Sequence, residues 1–283
     1  MYQTYEPEVL KRVQETELEI LSDFIDLCER HGIDYFGVGG TAIGAVRHQG
    51  FIPWDDDIDI GFLRKDYDRF LALAKEELSD KYEVLNAMED RNYPLPTTRL
   101  VKKGTVFHEE PLKNCKCNFG IFLDLYSFDN AADDEKAMRK QGRTAWFWGK
   151  LLILRHVGNP TLYFGGWKAA LVRAACQAAH FFLWLFRISP RWLYDQAMKA
   201  SRRYENVETK RVAWFFDPQP FTSIMEKEQI FPTKKMPFNG LMMRLPGGVE
   251  RYLANRYGDY MKLPPEDKRH NHPPYRLDFG DEK

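Results

Sequence analysis

The chain has 283 residues, long for one ordinary domain and short for two large ones, and its 44% apolar and 29% charged residues make it globular rather than disordered. Lys plus Arg and Asp plus Glu are equal at 41 each, so net charge does not point to a polyanionic partner. Four cysteines (28, 115, 117 and 176) make no disulfide framework in a chain this long, and MYQTYEPEVLKRVQETE lacks the apolar run of a signal peptide or anchor. A cytoplasmic protein with reduced thiols is expected.

Leu10, Leu18, Leu21, Ile25 and Cys28 recur at helical spacing and Gly32 stands at the C-cap, predicting a helix over 6–31. A short strand over 33–38 runs into Gly39-Gly40-Thr41, and TAIGAVRHQ predicts one or two helical turns closed by Gly50. In DDDIDIGF, Ile58, Ile60 and Phe62 alternate with Asp57, Asp59 and Gly61, which predicts a strand with one apolar and one acidic face. An amphipathic helix over 65–78 and strands over 82–85, 97–101 and 119–127 follow, the last holding a single carboxylate, Asp124. Three helices are then expected over 136–156, 166–188 and 190–205, the first two joined by GNPTLYFGG and the third started by Ser189-Pro190. From about 212 onward the chain reads as proline- and glycine-marked turns, one helix over 249–257, and an irregular tail.

Four aspartates in five positions (55, 56, 57 and 59) are costly to hold together without a cation among them. On a strand Asp57 and Asp59 project from one face, roughly 6.6 Å apart. That spacing suits a grip on one or two hard divalent ions, and Mg²⁺ keeps open positions for phosphate. The bland alternative, a solvated acidic turn, does not explain the alternation from 57 to 62. Asp124 is the candidate third carboxylate on a neighbouring strand. Gly39-Gly40-Thr41, between strand and helix, is either a tight turn or a place where backbone approaches a phosphate.

A glycine turn, Asp57-Ile58-Asp59 on a strand and a lone Asp on a later strand resemble the nucleotidyltransferase superfamily built on the polymerase-β-like palm. GGTAIGAVRHQGFIPWDDDIDIGF, continuing to Asp66, Tyr67 and Phe70, is more closely similar to the signature of the LicD family, phosphocholine transferases of bacterial surface glycans related to fukutin-type transferases. The resemblance resumes at GIFLDLYSFD and at IFPTKKMPFNGLMMRLPGGVERYLANRYGDYMKLPP. It implies an α/β (α+β) fold, a palm with a helical, basic-aromatic insertion: residues 1–132 as catalytic core, 133–211 as insertion, and 212–283 completing the catalytic domain.

The resemblance also implies a reaction. A hydroxyl of a cell-surface glycan precursor, of the lipopolysaccharide or teichoic acid kind, attacks the β-phosphate of CDP-choline or another CDP-alcohol and releases CMP. Asp57, Asp59 and Asp124 would be catalytic residues and ligands of Mg²⁺ or Mn²⁺, with Asp124 also helping to deprotonate the hydroxyl. Gly39, Gly40 and Thr41 would cradle phosphate oxygens. Arg47 would donate to the diphosphate or pair with the aspartates, His48 would serve as a base or as a structural residue, and Arg99 and Lys102 are further phosphate candidates. A choline head group needs aromatic faces, for which Trp54 is one candidate, its alternative being core packing.

Charge is unevenly spread. From Lys136 to Tyr194 there are ten Lys or Arg and no Asp or Glu, leaving 31 basic and 41 acidic residues elsewhere. Twelve aromatics, five of the seven tryptophans among them, fall in the same 59 residues, the composition of helices lying on anionic lipid. Charged and polar interruptions at Arg173, Gln177, His180 and Arg187 argue against a true span. The expectation is a peripheral protein on the inner face of the membrane, reaching a lipid-linked glycan acceptor, with Arg139, Lys140 and Arg143 contacting lipid or another polyanion. The alternative is a helical subdomain whose aromatics pack on the core. Cys115-x-Cys117 lacks a second pair for zinc. His270 and His272 sit in a polar tail. Nucleic acid is not an expected partner, because no reading motif accompanies the basic segment. Two other functions compete: a nucleotidyltransferase moving NMP from an NTP to a small molecule with release of pyrophosphate, and an inactive protein that binds membrane or glycan.

Overall fold

A computed structural model describes residues 5–280 except 161, 163, 164, 219, 220, 267, 268, 270 and 272, so His270, His272 and part of the expected 158–166 turn lie outside the described residues. The architecture is mixed α/β. The central strand is β6 (Phe122–Ala131), whose first half runs between β2 (Asp59–Leu63), parallel to it, and β4 (Thr98–Lys102), antiparallel. Outward from these lie β1 (Phe36–Gly37) beside β2 and β3 (Tyr82–Leu85) beside β4. The second half of β6 takes a new neighbour, β7 (Arg211–Trp214), which carries β8 (Ser223–Glu226). Chain more than eighty residues downstream of β6 thus completes the sheet. Leu123 and Leu125 are fully buried on one face of β6, and Asp124 and Phe128 are also buried on the other, as expected for a strand covered on both sides.

One face is covered by α1 (Pro7–His31) and α3 (Arg64–Glu77). Phe24 of α1 meets Tyr35 and Phe70 at ring-centroid distances of 4.9 Å each, and Phe62 of β2 at 5.8 Å. The short α2 (Gly39–His48) starts at the glycine pair and ends with Gln49 in the left-handed region. Asn239 secures the loop that follows: its Oδ1 accepts from Phe51 N at 2.8 Å and its own N donates to Gln49 O at 2.8 Å. It sits at the Asn239-Gly240 turn between β9 (Lys234–Phe238) and β10 (Leu241–Leu245), both residues having positive φ as a tight hairpin turn requires. Three longer helices, α4 (Glu135–His156), α5 (Gly166–Leu185) and α6 (Pro190–Ser201), stand between β6 and β7; α4 packs on α6 and carries α5 along its side. Asp134 caps α4 by accepting from Ala137 N, and Ser189 caps α6. A single turn, α7 (Lys227–Ile230), precedes α8 (Val249–Tyr257), and a short strand, β11 (Arg276–Asp278), pairs with β5 (Val106–His108).

The helices fall where the periodicity predicts them. The strands differ: the expected strand over 33–38 contracts to two residues, the acidic strand begins at Asp59 and leaves Asp57 in the extended segment before it, and the expected strand over 119–127 lies at 122–131. The region after 212, expected to be turns and one helix, supplies strands as well. Their cross-strand partners lie far away in sequence, and local patterning carries no record of them.

Candidate active site

Asp59 opens β2, and in the parallel register its neighbour on β6 is Asp124, so the two carboxylates start about 4.8 Å apart across the ladder. Asp124 N donates to Ile58 O at 3.0 Å. The glycine segment is stitched to the same point: Val38 N donates to Asp59 O at 3.1 Å, and Asp59 N donates to Thr41 Oγ1 at 2.8 Å. Gly39 has φ +58°, and a Cβ there would overlap Asp59 Oδ2; one on Gly40 would lie 2.6 Å from Asp55 Oδ2. The glycine pair thus lets two carboxylates press against the backbone at the head of α2. Gly39 N donates to the hydroxyl of Tyr252 at 3.1 Å.

The electrostatics are strained in one direction. Burial, reinforced by Asp124 and Asp55, pushes the Asp59 carboxyl up to about 8, against a hydrogen bond from Tyr126 Oη at 3.0 Å that favours its charged form. Burial and then Asp59, Asp55, Asp56 and Asp124 raise Asp57 well above the ordinary range. Asp124 is raised by burial, opposed by Arg99, whose Nε donates to Asp124 Oδ1 at 3.1 Å while its other arm reaches Glu109 at 2.6 Å. A sixth acid joins from α1. Glu17 is 1% exposed, both its oxygens lack a hydrogen-bond partner, and burial followed by Asp56, Asp55, Asp124 and Asp59 raises it strongly. One turn earlier Gln14 Nε2 donates to Asp55 O at 2.8 Å, which seats this face of α1 against the acidic loop.

An orphaned buried carboxylate beside hard-oxygen donors is what a divalent cation would satisfy, so the donor set fits Mg²⁺ or Mn²⁺ in chemistry. Among the described residues, no three His, Cys, Asp or Glu side chains already stand as a closed ligand set. The acids are gathered in one region without converging on a single point, as mutual repulsion requires.

Of the residues expected from sequence, Gly39, Gly40, Thr41, Asp57, Asp59 and Asp124 come together. The others have different partners. Thr41 is buried and uses its hydroxyl to hold Asp59 in place, rather than offering it to a ligand. Arg47 donates to Tyr260 O at 2.6 Å and to His48 Nε2 at 2.9 Å, which ties the tail to α2. Burial and then Arg47 lower His48. Arg99, expected at a phosphate, lies over the Phe122 ring at 3.7 Å and is committed to Asp124 and Glu109. Lys102, an odd number of residues along β4, points to the opposite side and pairs with Glu19. Trp54 lies under the guanidinium of Arg269 at 4.9 Å.

Beside Asp59 opens a narrow cleft of about 50 Å³, walled by Tyr126, Phe128, Trp214 and Tyr252, with Asp217 and Arg256 at its polar side. Tyr126 and Trp214 meet edge to face at 5.3 Å. Arg256 lies 3.6 Å from Asp217, and its charge acts on Asp59 in the direction opposite to burial. Glu17 and these cleft residues are not foreseen from the sequence. Two had a readable signal: Glu17 interrupts the apolar stripe Val13, Ile20, Phe24 of α1, and Tyr126 shares a face of β6 with Asp124 by period two. Trp214 and Arg256 had none, because their place depends on long-range pairing.

Residues 32–141, which include Asp57, Asp59 and Asp124, match the family model described as "LicD/FKTN/FKRP, nucleotidyltransferase domain". Over nearly its whole length the chain is similar to the lipopolysaccharide cholinephosphotransferase LicD of Haemophilus influenzae, 27% identical across 93% of this chain and 95% of that protein. Shorter similarities join it to uncharacterised proteins of Rickettsia typhi, 40% identical over 20% of this chain and 19% of that protein, and of Rickettsia prowazekii, 46% identical over 17% and 18%.

Proposed function

We propose that the protein is a transferase that moves phosphocholine from CDP-choline to a hydroxyl of a lipopolysaccharide-type glycan, on a nucleotidyltransferase-like palm formed by residues 1–132 and 212–283. The observation that carries this reading is the aromatic cleft directly beside Asp59: Tyr126, Trp214 and Tyr252, side chains of the kind that bind a quaternary ammonium, line it, and Arg256 places a positive charge at its polar side. The match to the LicD-family model and the cholinephosphotransferase relative support the same chemistry.

Asp57 and Asp59 would hold Mg²⁺ against the diphosphate, with Asp124 as a shared ligand. When bound, the ion neutralises charge on the transferring phosphoryl group and acidifies the attacking hydroxyl. Asp124 would take the hydroxyl proton. The acceptor oxygen forms its bond to the choline-side phosphorus, the bond from that phosphorus to the bridging oxygen breaks, and CMP leaves carrying the bridging oxygen. Arg99 anchors Asp124 through Oδ1.

The test is ³¹P NMR of the purified protein with Mg²⁺, CDP-choline and a lipopolysaccharide acceptor. The expected result is CMP together with a new phosphodiester signal. Intact CDP-choline alongside pyrophosphate released from CTP would instead establish nucleotidyl transfer. Trp214→Leu is expected to raise KM for CDP-choline about tenfold while changing KM for CDP-glycerol little, because only the cationic head group uses the ring face. Equal effects on both donors would remove the cleft from choline recognition.

A further inference from the structure

In α5 the usual arrangement of an amphipathic helix is inverted. The side toward α4 carries Ala169, the one buried residue of the helix, with Cys176, Ala179, His180 and Leu183 half-buried behind it. The large apolar side chains point away. Exposure runs from 52% for Phe181 to 71% for Trp167, with Leu171, Phe182, Trp184 and Phe186 between, and Phe182 stacks on Phe186 at 6.3 Å. Small residues turned toward protein and large apolar ones turned outward are the pattern of a helix whose surroundings are lipid.

The charges sit where a lipid surface needs them. At 3.6 residues per turn, Trp167, Leu171, Ala174, Ala178, Phe181 and Leu185 form one stripe opposite the α4 contact. Lys168 lies about 100° to one side of Trp167 and Arg173 about 120° to the other, level with phosphate groups if the stripe is sunk in acyl chains. No acidic residue occurs between Lys136 and Tyr194, so no acid on α5 repels an anionic head group. Among the described residues no single helix is long and apolar enough to cross a membrane, and α5 is bent by 116° from the segment that follows it.

We infer that α5 lies in the plane of an anionic phospholipid bilayer, its Trp167–Leu185 stripe buried in the interface and Lys168 and Arg173 paired with lipid phosphates. This moves the expected lipid contact from Arg139, Lys140 and Arg143, which lie on the first half of α4. Arg139 is already paired with Glu135 at 2.8 Å. His180 Nδ1 lies 2.6 Å from Leu154 O, so the aromatic end of α5 is at the far end of α4, and Lys140 and Arg143 are about 16–21 Å from it by helical rise. The inference uses none of the aspartates or cleft residues and stands whether or not the proposed reaction is right.

The test is flotation of the full chain with vesicles of phosphatidylcholine alone and of phosphatidylcholine with 30% phosphatidylglycerol, alongside light scattering without vesicles. The protein is expected to float with the anionic vesicles at least tenfold more strongly than with the neutral ones. Lys168→Glu/Arg173→Glu and, separately, Phe181→Ser/Leu185→Ser are expected to weaken this about tenfold each with unchanged Tm, since these side chains face outward. Lys140→Glu/Arg143→Glu is expected to change it less than threefold. The inference is overturned by equal binding to both vesicle types, by loss of binding only in the α4 variant, or by a dimer that Phe181→Ser/Leu185→Ser converts to a monomer without altering flotation.

Discussion

Asp59→Asn is expected to lose roughly a thousandfold or more in CMP release from CDP-choline while the metal-free protein becomes more stable by about 1–3 kcal/mol. The opposite signs follow from the site. Asp59 takes its hydrogen bond from a neutral tyrosine, and its near neighbours Asp124 and Asp55 are acids, so in the absence of a cation its charge is a cost. Asparagine keeps the shape and an oxygen for Tyr126 but neither repels Asp124 nor holds a divalent ion. Asp124→Asn is expected to behave differently, losing activity and stability together. It would leave the buried Arg99 with Glu109 as its remaining carboxylate partner and uncompensate part of a buried cation. Melting curves in EDTA, run beside CMP assays, decide this. Near-wild-type turnover in Asp59→Asn, or a lowered Tm in that variant, would contradict the assignment of Asp59 as a cation-holding carboxylate.

What could be read in the sequence divides by the range of the interaction. The helices are governed by contacts three and four residues apart, and α3, α4, α6 and α8 lie within a few residues of their predicted positions. Gly39, Gly40, Asp57, Asp59 and Asp124 were legible because their chemistry is crowded into short segments, where four aspartates demand an explanation. What was not legible depends on pairing across the sheet. β7 brings Trp214 beside Tyr126, and α8 brings Tyr252 and Arg256 over Gly39 and Asp59, from positions more than eighty residues beyond Asp124. Cations were the least reliable guide. Arg47, Arg99 and Lys102 are near the acids in sequence, yet each is held by a protein partner, because a long side chain's target depends on which face of its element it leaves. Glu17 shows the converse. A lone glutamate in an apolar stripe looks like noise until the strand opposite is known to carry aspartates.

The crowded acids also make stability depend on pH in a predictable sense. An unfolded aspartate titrates near 3.9, whereas Asp59 in the fold is pushed up to about 8. Between those values the folded protein holds a proton that the unfolded chain has released, so stability must fall as pH rises and level off above about 8, by about 1.4 kcal/mol per pH unit for each such proton. Below about pH 6.5 the lowered imidazoles act in the opposite direction, His156 being held down to about 4 by burial and then Arg155, so the clean window is pH 6.5–8. Across it the metal-free protein is expected to lose about 4–8 °C in Tm. Mg²⁺ or Mn²⁺ should reverse the trend, since a ligating carboxylate must give up its proton. Titration calorimetry at pH 7 in buffers of different ionisation enthalpy should then register about one proton released per ion bound. Glu17→Gln separates the extra acid from the others. By removing a buried carboxyl that has no hydrogen-bond partner it is expected to raise the metal-free Tm at pH 8, and by removing a metal-ligating oxygen it is expected to weaken Mn²⁺ binding, read by electron paramagnetic resonance, about tenfold. Unchanged Mn²⁺ affinity in Glu17→Gln would confine the cation to the aspartates, and a flat Tm profile from pH 6.5 to 8 would mean that the acids are not held in the repulsive arrangement described above.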